Sequence, residues 1–217
     1  MDKLDKHALI VDWGGVLTER LDLAMRAWAE QEGLDFDAYL MAMRSWLDPA
    51  QQHQARVNPV HALERGEIER SDFEVQLAER ITEHSGRAVD ATGLLERMFD
   101  CFEHAPAMNS LVLRAHEAGV RTALLSNSWG NTYPRDGWDE MFDVVVISGE
   151  VGARKPDRAI FDLVCGKLGV APADSVFVDD MAPNIDAAQA LGMTTVLHTG
   201  YDETAARLSE LFGLPLA

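Results

Sequence analysis

Ala8-Leu9-Ile10-Val11-Asp12-Trp13-Gly14-Gly15-Val16-Leu17-Thr18 is the stretch that decides the fold. A short apolar β-type run ends abruptly on an aspartate, and two glycines follow. The Gly14-Gly15 pair either lets backbone amides approach a bound anion or makes a plain tight turn after a strand. The same texture recurs twice: Thr-Ala-Leu-Leu runs into Ser126-Asn127, and Val-Phe-Val runs into Asp179-Asp180. With these, strands are predicted at 7–12, 121–127, 143–148, 175–179 and 194–198, and the last four alternate with loops or helical patterns. That is the βαβ rhythm of a parallel sheet. Parallel strands would bring all three polar clusters to one carboxyl edge, where open α/β folds bind ligands.

Helical periodicity fills the connections. Ile160, Phe161, Val164, Cys165 and Leu168 form a stripe that stops at Gly169, and Pro183 opens a stripe of Ile185, Ala188 and Leu191 that stops at Gly192. More than a hundred residues separate the first two strands, too many for one crossover. This interval reads as helix: Leu21, Met25, Trp28 and Ala29 keep helical spacing, as do Phe36, Tyr39, Leu40 and Met43. Ser71 and Glu74 have capping-box spacing, and Leu95, Met98, Phe99 and Phe102 form another stripe before Pro106. The expected organisation is an α/β core of 1–19 and 105–217 carrying a helical insert of 20–104, with Trp28 and Trp46 in the insert's own core.

Composition narrows the function. The 217 residues carry 36 acidic against 19 basic side chains, a net charge of −17. Such a surface argues against nucleic acid, whose binding needs clustered cations, and leaves room for a small anion beside a local cation or metal. The run at 8–11 is cut short by Asp12 and no other run is long enough for a bilayer, so neither a signal peptide nor a membrane anchor is expected and the location expected is cytoplasmic. Cys101 and Cys165 read as buried free thiols. Lys155, next to Pro156 and a helix start, would add charge to an anion-attracting helix N-terminus. Several carboxylates converging without histidine or cysteine form an oxygen-only site, which suits magnesium rather than zinc.

Four segments in order, 8–18, Leu-Leu-Ser-Asn-Ser (124–128), Arg-Lys-Pro-Asp (154–157) and Val-Asp-Asp-Met-Ala-Pro-Asn (178–184), resemble the signatures of the haloacid dehalogenase (HAD) superfamily. The resemblance covers the whole sheet domain and implies a Rossmann-like core with an inserted helical type-1 cap. It further implies a Mg²⁺-dependent phosphatase acting on a small phosphorylated metabolite such as a sugar phosphate, as a monomer or homodimer. In that reading Asp12 attacks phosphorus and forms an aspartyl-phosphate. The metal is held by Asp12, the Gly14 carbonyl and Asp180, with Asp179 orienting a water at the metal or making an outer contact. Ser126, the Asn127 backbone and the Gly14-Gly15 turn bind phosphate oxygens, Lys155 neutralises the nucleophile and the transferring group, and Asn184 positions the acidic loop.

One position departs from the pattern. Many HAD phosphatases carry a second aspartate two residues after the nucleophile, as acid and then base; here it is Gly14. The chain thus resembles the Asp-x-Gly members, among them phosphatases of glucose 1-phosphate. Its substrates would have good leaving groups, or it is a catalytically reduced binding or regulatory relic. A metal-independent 2-haloacid dehalogenase is the enzymatic rival, set apart by a Ser-x-Asn-x-x-Asp fourth signature. A receiver-like signalling domain is the non-enzymatic one, with the order of acid pair and phosphoacceptor inverted. Substrate choice would fall to the insert, where the polar stretch 51–58 offers His53, Arg56 or Asn58, or is a solvated loop between helices.

Overall fold

The computed structural model describes residues 7–47, 58–130 and 132–216. Five strands, β1 (Ala8–Val11), β2 (Arg121–Ser126), β3 (Val144–Ile147), β4 (Ser175–Asp179) and β5 (Thr194–Leu197), form one sheet in the order β3-β2-β1-β4-β5. Every neighbouring pair is parallel. The expected strands are all present, each within a residue of its reading at either end. Because β1 is central and buried on both faces, it is apolar throughout rather than alternating.

Between β1 and β2 lie α1 (Leu21–Glu32), α2 (Phe36–Leu47), α3 (Pro59–Glu64), α4 (Arg70–Ser85), α5 (Leu94–Phe99) and α6 (Pro106–Glu117). The first five share an apolar cluster of their own, built on Trp28, Tyr39, Trp46, Phe73, Leu77, Ile81 and Leu95. α6 instead joins the sheet's cluster through Met108, Leu111, Val112 and Ala115. The two ends of the insert run side by side: Thr18 bridges His104 antiparallel, Ala105 N–H donates to Leu17 O, and Asn109 Nδ2 donates to the same carbonyl. Phe102 was expected to extend the stripe of α5; it lies past the helix and stacks on Trp13 with ring centroids 6.0 Å apart.

After β2 come α7 (Trp138–Met141), α8 (Ser148–Val151), α9 (Arg158–Leu168), α10 (Ala182–Ala190) and α11 (Tyr201–Phe212). α9 ends at Gly169, whose φ of 67° is the left-handed C-cap that glycine adopts without strain. Its buried face meets the other side of the sheet, where Phe161 and Phe177 pack edge to face at 5.4 Å.

Three expectations are corrected. Ser71 and Glu74 do not form a capping box: α4 starts one residue earlier, and the buried Glu74 carboxylate accepts from Leu95 N–H at 2.9 Å, satisfying a donor at the start of α5. A longer-range orphan donor outcompetes the local one. Asn58 caps α3, accepting from Val60 and His61 N–H while donating to Trp46 O at 2.6 Å, so it is tied into the insert rather than offered to a ligand. His53 and Arg56 lie outside the described residues. Both cysteines are free, but only Cys165 is buried. Cys101 sits half-buried beyond the end of α5, against Gln31.

Phe177 is fully buried in the central layer. Phe177→Ala should lower the unfolding free energy by about 3–5 kcal/mol, read from the urea midpoint at unchanged slope.

Candidate active site

Strand register assembles the site. Val11 lies opposite both Leu124 of β2 and Val178 of β4, so Asp12 and Asp179 fall side by side and Ser126 ends the adjoining strand. Asp12 N–H continues the ladder to Val178 O at 2.9 Å, carrying the pairing one residue past β1.

The centre is an ammonium between carboxylates. Lys155 is 1% exposed, and its Nζ lies 2.7 Å from Asp12 Oδ1 and 2.7 Å from Asp179 Oδ2. Burial opposes its charge, but Asp12 and Asp179 outweigh that and hold its pKa above the usual lysine value. Asp12 Oδ1 also accepts from Trp13 N–H at 2.7 Å, while among the described residues no donor reaches Oδ2. The carboxylate is therefore pinned by one oxygen and open at the other. Burial above all, then Asp179 and Asp180, push the Asp12 pKa up to about 7 against the pull of Lys155. Asp180, the most open of the three acids, rises to about 6 through burial and Asp179.

Asp179 is held on both oxygens. Oδ1 accepts from Met181 N–H at 2.8 Å and from Asn184 Nδ2 at 3.0 Å; Oδ2 accepts from Lys155 and, at 3.1 Å, from the same amide. Asn127 uses its side chain on Lys155: Oδ1 accepts from Lys155 N–H at 2.8 Å and Nδ2 donates to Lys155 O at 2.9 Å. This bracket fixes the lysine's backbone. Ser126 Oγ, buried at the end of β2, shares a 2.9 Å hydrogen bond with Tyr133 OH, and the Tyr133 ring packs edge-on to Trp13 at 4.9 Å.

The two glycines differ in what they permit. Gly15 has φ 72°, and a Cβ there would stand 2.3 Å from Asp180 Oδ2, so a side chain would be strained and would displace the acid. At Gly14 a Cβ would meet only the Leu21 Cδ1 tip, at 3.1 Å. Thr18 Oγ1 accepts from Gly15 N–H at 2.9 Å and closes the turn.

The donor set fits a hard divalent cation. Asp12, Asp179 and Asp180 each offer an oxygen, all within 4.8 Å of one another. Opposite ligands of a magnesium ion stand about 4.2 Å apart. Three carboxylates against one ammonium leave excess negative charge, and the raised pKa values of Asp12 and Asp180 come first from burial and then from that repulsion.

A cavity of about 680 Å³ opens between insert and sheet domain, lined by Leu63, Ile68 and Arg70 on one side and Ser128, Tyr133 and Ile147 on the other. A cleft of about 470 Å³ by His7, Arg121 and Gly169 lies at the opposite edge of the sheet, away from the carboxylates. Among the described residues no helix is long and apolar enough to cross a membrane.

The sequence singled out Asp12, Ser126, Asn127, Lys155, Asp179, Asp180 and Asn184, and the strand ends gather them at one edge. It did not single out Tyr133, Trp129 or Glu64. Glu64, from the insert, accepts from Trp129 Nε1 at 3.2 Å and pairs with Arg154, the residue before Lys155.

Residues 6–192 match the family described as haloacid dehalogenase-like hydrolase. The chain belongs to that family and is a hydrolase. It is 30% identical over 155 residues to the sesquiterpene phosphatase astK of Aspergillus oryzae, covering 69% of this chain and 77% of that one. Against the phosphoglycolate phosphatase of Psychrobacter arcticus the identity is 28%, over 92% of this chain and 86% of the relative. Other relatives are much longer: the drimenol cyclase drtB of Aspergillus calidoustus is 42% identical over 80 residues, 37% of this chain and 15% of its own length. Among solved structures, a HAD family enzyme of Bacteroides thetaiotaomicron in complex with magnesium and inorganic phosphate aligns at TM-score 0.60 and 21% identity, covering 92% of this chain and 98% of that one. A dehalogenase aligns at TM-score 0.64 and 20% identity, covering 97% and 98%. These two share the fold.

Mg²⁺ binding should release protons and weaken as pH falls. Both Asp12 and Asp180 are raised, so as pH falls Asp12 takes up a proton through about 7 and Asp180 through about 6, protons that the cation must displace. Titration calorimetry in buffers of different ionisation enthalpy reads that release, and it should vanish above pH 8.

Proposed function

We propose that this chain is a magnesium-dependent phosphatase that hydrolyses a small phosphorylated metabolite through an aspartyl-phosphate on Asp12. The observation that carries the reading is the Asp12 carboxylate, pinned at Oδ1 by Lys155 and Trp13 N–H with Oδ2 open. Oδ2 is the oxygen assigned to attack. The P–O bond to the leaving group breaks as the Asp–O–P bond forms, the leaving oxygen takes a proton, and water then cleaves the acyl phosphate to return Asp12 and inorganic phosphate.

Lys155 favours the ionised form of Asp12 against its burial and offsets charge on the transferring group. Ser126 Oγ and the backbone amides of Gly14 and Asn127 are assigned to phosphate oxygens; Gly15 N–H already donates to Thr18 Oγ1, so the part of Gly15 is to leave room beside Asp180. Asp12, Asp180 and the Gly14 carbonyl would hold magnesium, which supplies charge neutralisation at the phosphoryl group. Asp179, with each oxygen already accepting, suits an outer contact, and Asn184 holds it there. Residues 20–104 act as a cap that selects the leaving group.

Support comes from the phosphatase relatives and from the magnesium and phosphate held by the Bacteroides enzyme of the same fold. The solved dehalogenase keeps metal-free carbon chemistry as the second reading. Chelator separates the two: phosphate release should stop in EDTA and return with Mg²⁺, whereas halide release that persists in EDTA would favour the rival. Asp12→Asn should lower kcat on the order of 10⁴-fold.

Gly14 offers no proton to the leaving group, so rates on aryl and acyl phosphates should climb steeply as leaving-group pKa falls. The nearest neighbour of a Cβ at Gly14 is the flexible Leu21 tip, which leaves the backbone able to carry Gly14→Asp. It should speed poor leaving groups by up to about 10²-fold, the lower end of what acid–base help contributes, and flatten that slope. An equal effect on all leaving groups would count against this account.

A further inference from the structure

Two of the loops that carry the site are the one after β2 and the one before α9. The Asn127 bracket on the Lys155 backbone ties them together from within the sheet domain. A second tie comes from outside it. Glu64, the last residue of α3, is 7% exposed. One of its oxygens accepts from Trp129 Nε1, two residues past Asn127, and the other pairs with Arg154 Nε, one residue before Lys155. The insert's backbone closes on the same place: a Cβ at Gly66 would stand 2.6 Å from Gly149 O, in α8. His61, one turn back, is pushed down to about 4 by burial and by Arg154 and Arg65, so it adds no third charge at pH 7.

We propose that Glu64 is a positioning residue: by gripping Trp129 and Arg154 at once, it makes seating of the insert a condition for Lys155 to stand between Asp12 and Asp179. The inference rests on the phosphatase reading and adds a role that the site's own residues do not supply. A buried carboxylate with two donors from different loops holds them at fixed separation, and a buried ion pair loses much when one partner is removed. Release of Glu64 removes the insert's hold on both loops at one point, while the Asn127 bracket still ties them to each other. The reacting groups stay present but lose alignment, a fault that costs rate more than binding.

The test uses Glu64→Ala, the isosteric Glu64→Gln and Arg154→Ala in the full chain. With p-nitrophenyl phosphate and acetyl phosphate, whose leaving groups are too small to engage the cap, Glu64→Ala should lower kcat about 10- to 100-fold with little change in KM. Glu64→Gln, whose amide oxygen can accept from one of the two donors while its NH2 faces the other, should recover part of the loss. Glu64→Ala and Arg154→Ala should be non-additive, the double variant being no slower than the worse single one. Wild-type kcat in Glu64→Ala, additive losses, or a rise confined to KM would overturn the proposal.

Hydrogen exchange read by mass spectrometry decides the matter without turnover. Glu64→Ala should speed exchange in peptides covering 126–130 and 152–156 together, and unchanged exchange in 152–156 would sink the idea even in a well-folded variant. Should the wild type neither turn over phosphate esters nor bind orthovanadate, the phosphatase reading fails while the exchange result still judges the coupling. If Glu64→Ala does not fold, the same exchange and kcat measurements on Glu64→Gln carry the decision.

Discussion

A buried ammonium held between two carboxylates is the constraint around which the molecule is arranged. Placing Lys155 out of water is costly unless its charge is met at close range, and the cost is met only because β1 and β4 pair in a register that sets Asp12 beside Asp179. A slip of one residue between these strands would turn one acid away from the lysine. The apolar strands and the helices on both faces thus serve the site directly: they fix the register, and the register fixes the charges.

That arrangement also explains the division of labour among the acids. Asp179 is saturated by Lys155, Asn184 and Met181 N–H, so it is rigid and anchors the ammonium. Asp12 is held at one oxygen and free at the other. Asp180 is the least enclosed, with Gly15 packed against it so tightly that no side chain fits between. The three acids at one sheet edge thus form a graded series from rigid to open around one internal ion pair.

The parts legible in the sequence were the local ones. Strand ends, the stripes of α9 and α10, and the acids after β1 and β4 depend on neighbours a few residues away, so periodicity and turn residues disclose them. The Glu74 carboxylate illustrates the opposite case: its spacing from Ser71 suggested a local cap, but its partner is Leu95, 21 residues on. Asn127 was singled out for its backbone, and its side-chain amide has a second part that spacing could not show, reaching Lys155, 28 residues away. Glu64 and Arg154 are 90 apart and belong to different clusters of side chains, so nothing near either of them announces the pair. Tyr133 is only seven residues from Ser126, but an irregular loop separates them and carries no periodic signal.

The antiparallel bridge between Thr18 and His104 joins the two ends of the insert as a short hairpin stem. Whatever is strung between those positions, the strands on either side meet the same pair of anchored ends, but the charged edge also meets α3 through Glu64. Helices remote from α3 can therefore be lengthened or replaced over evolutionary time, whereas a transplanted insert would have to bring both the stem and an acceptor where Glu64 stands.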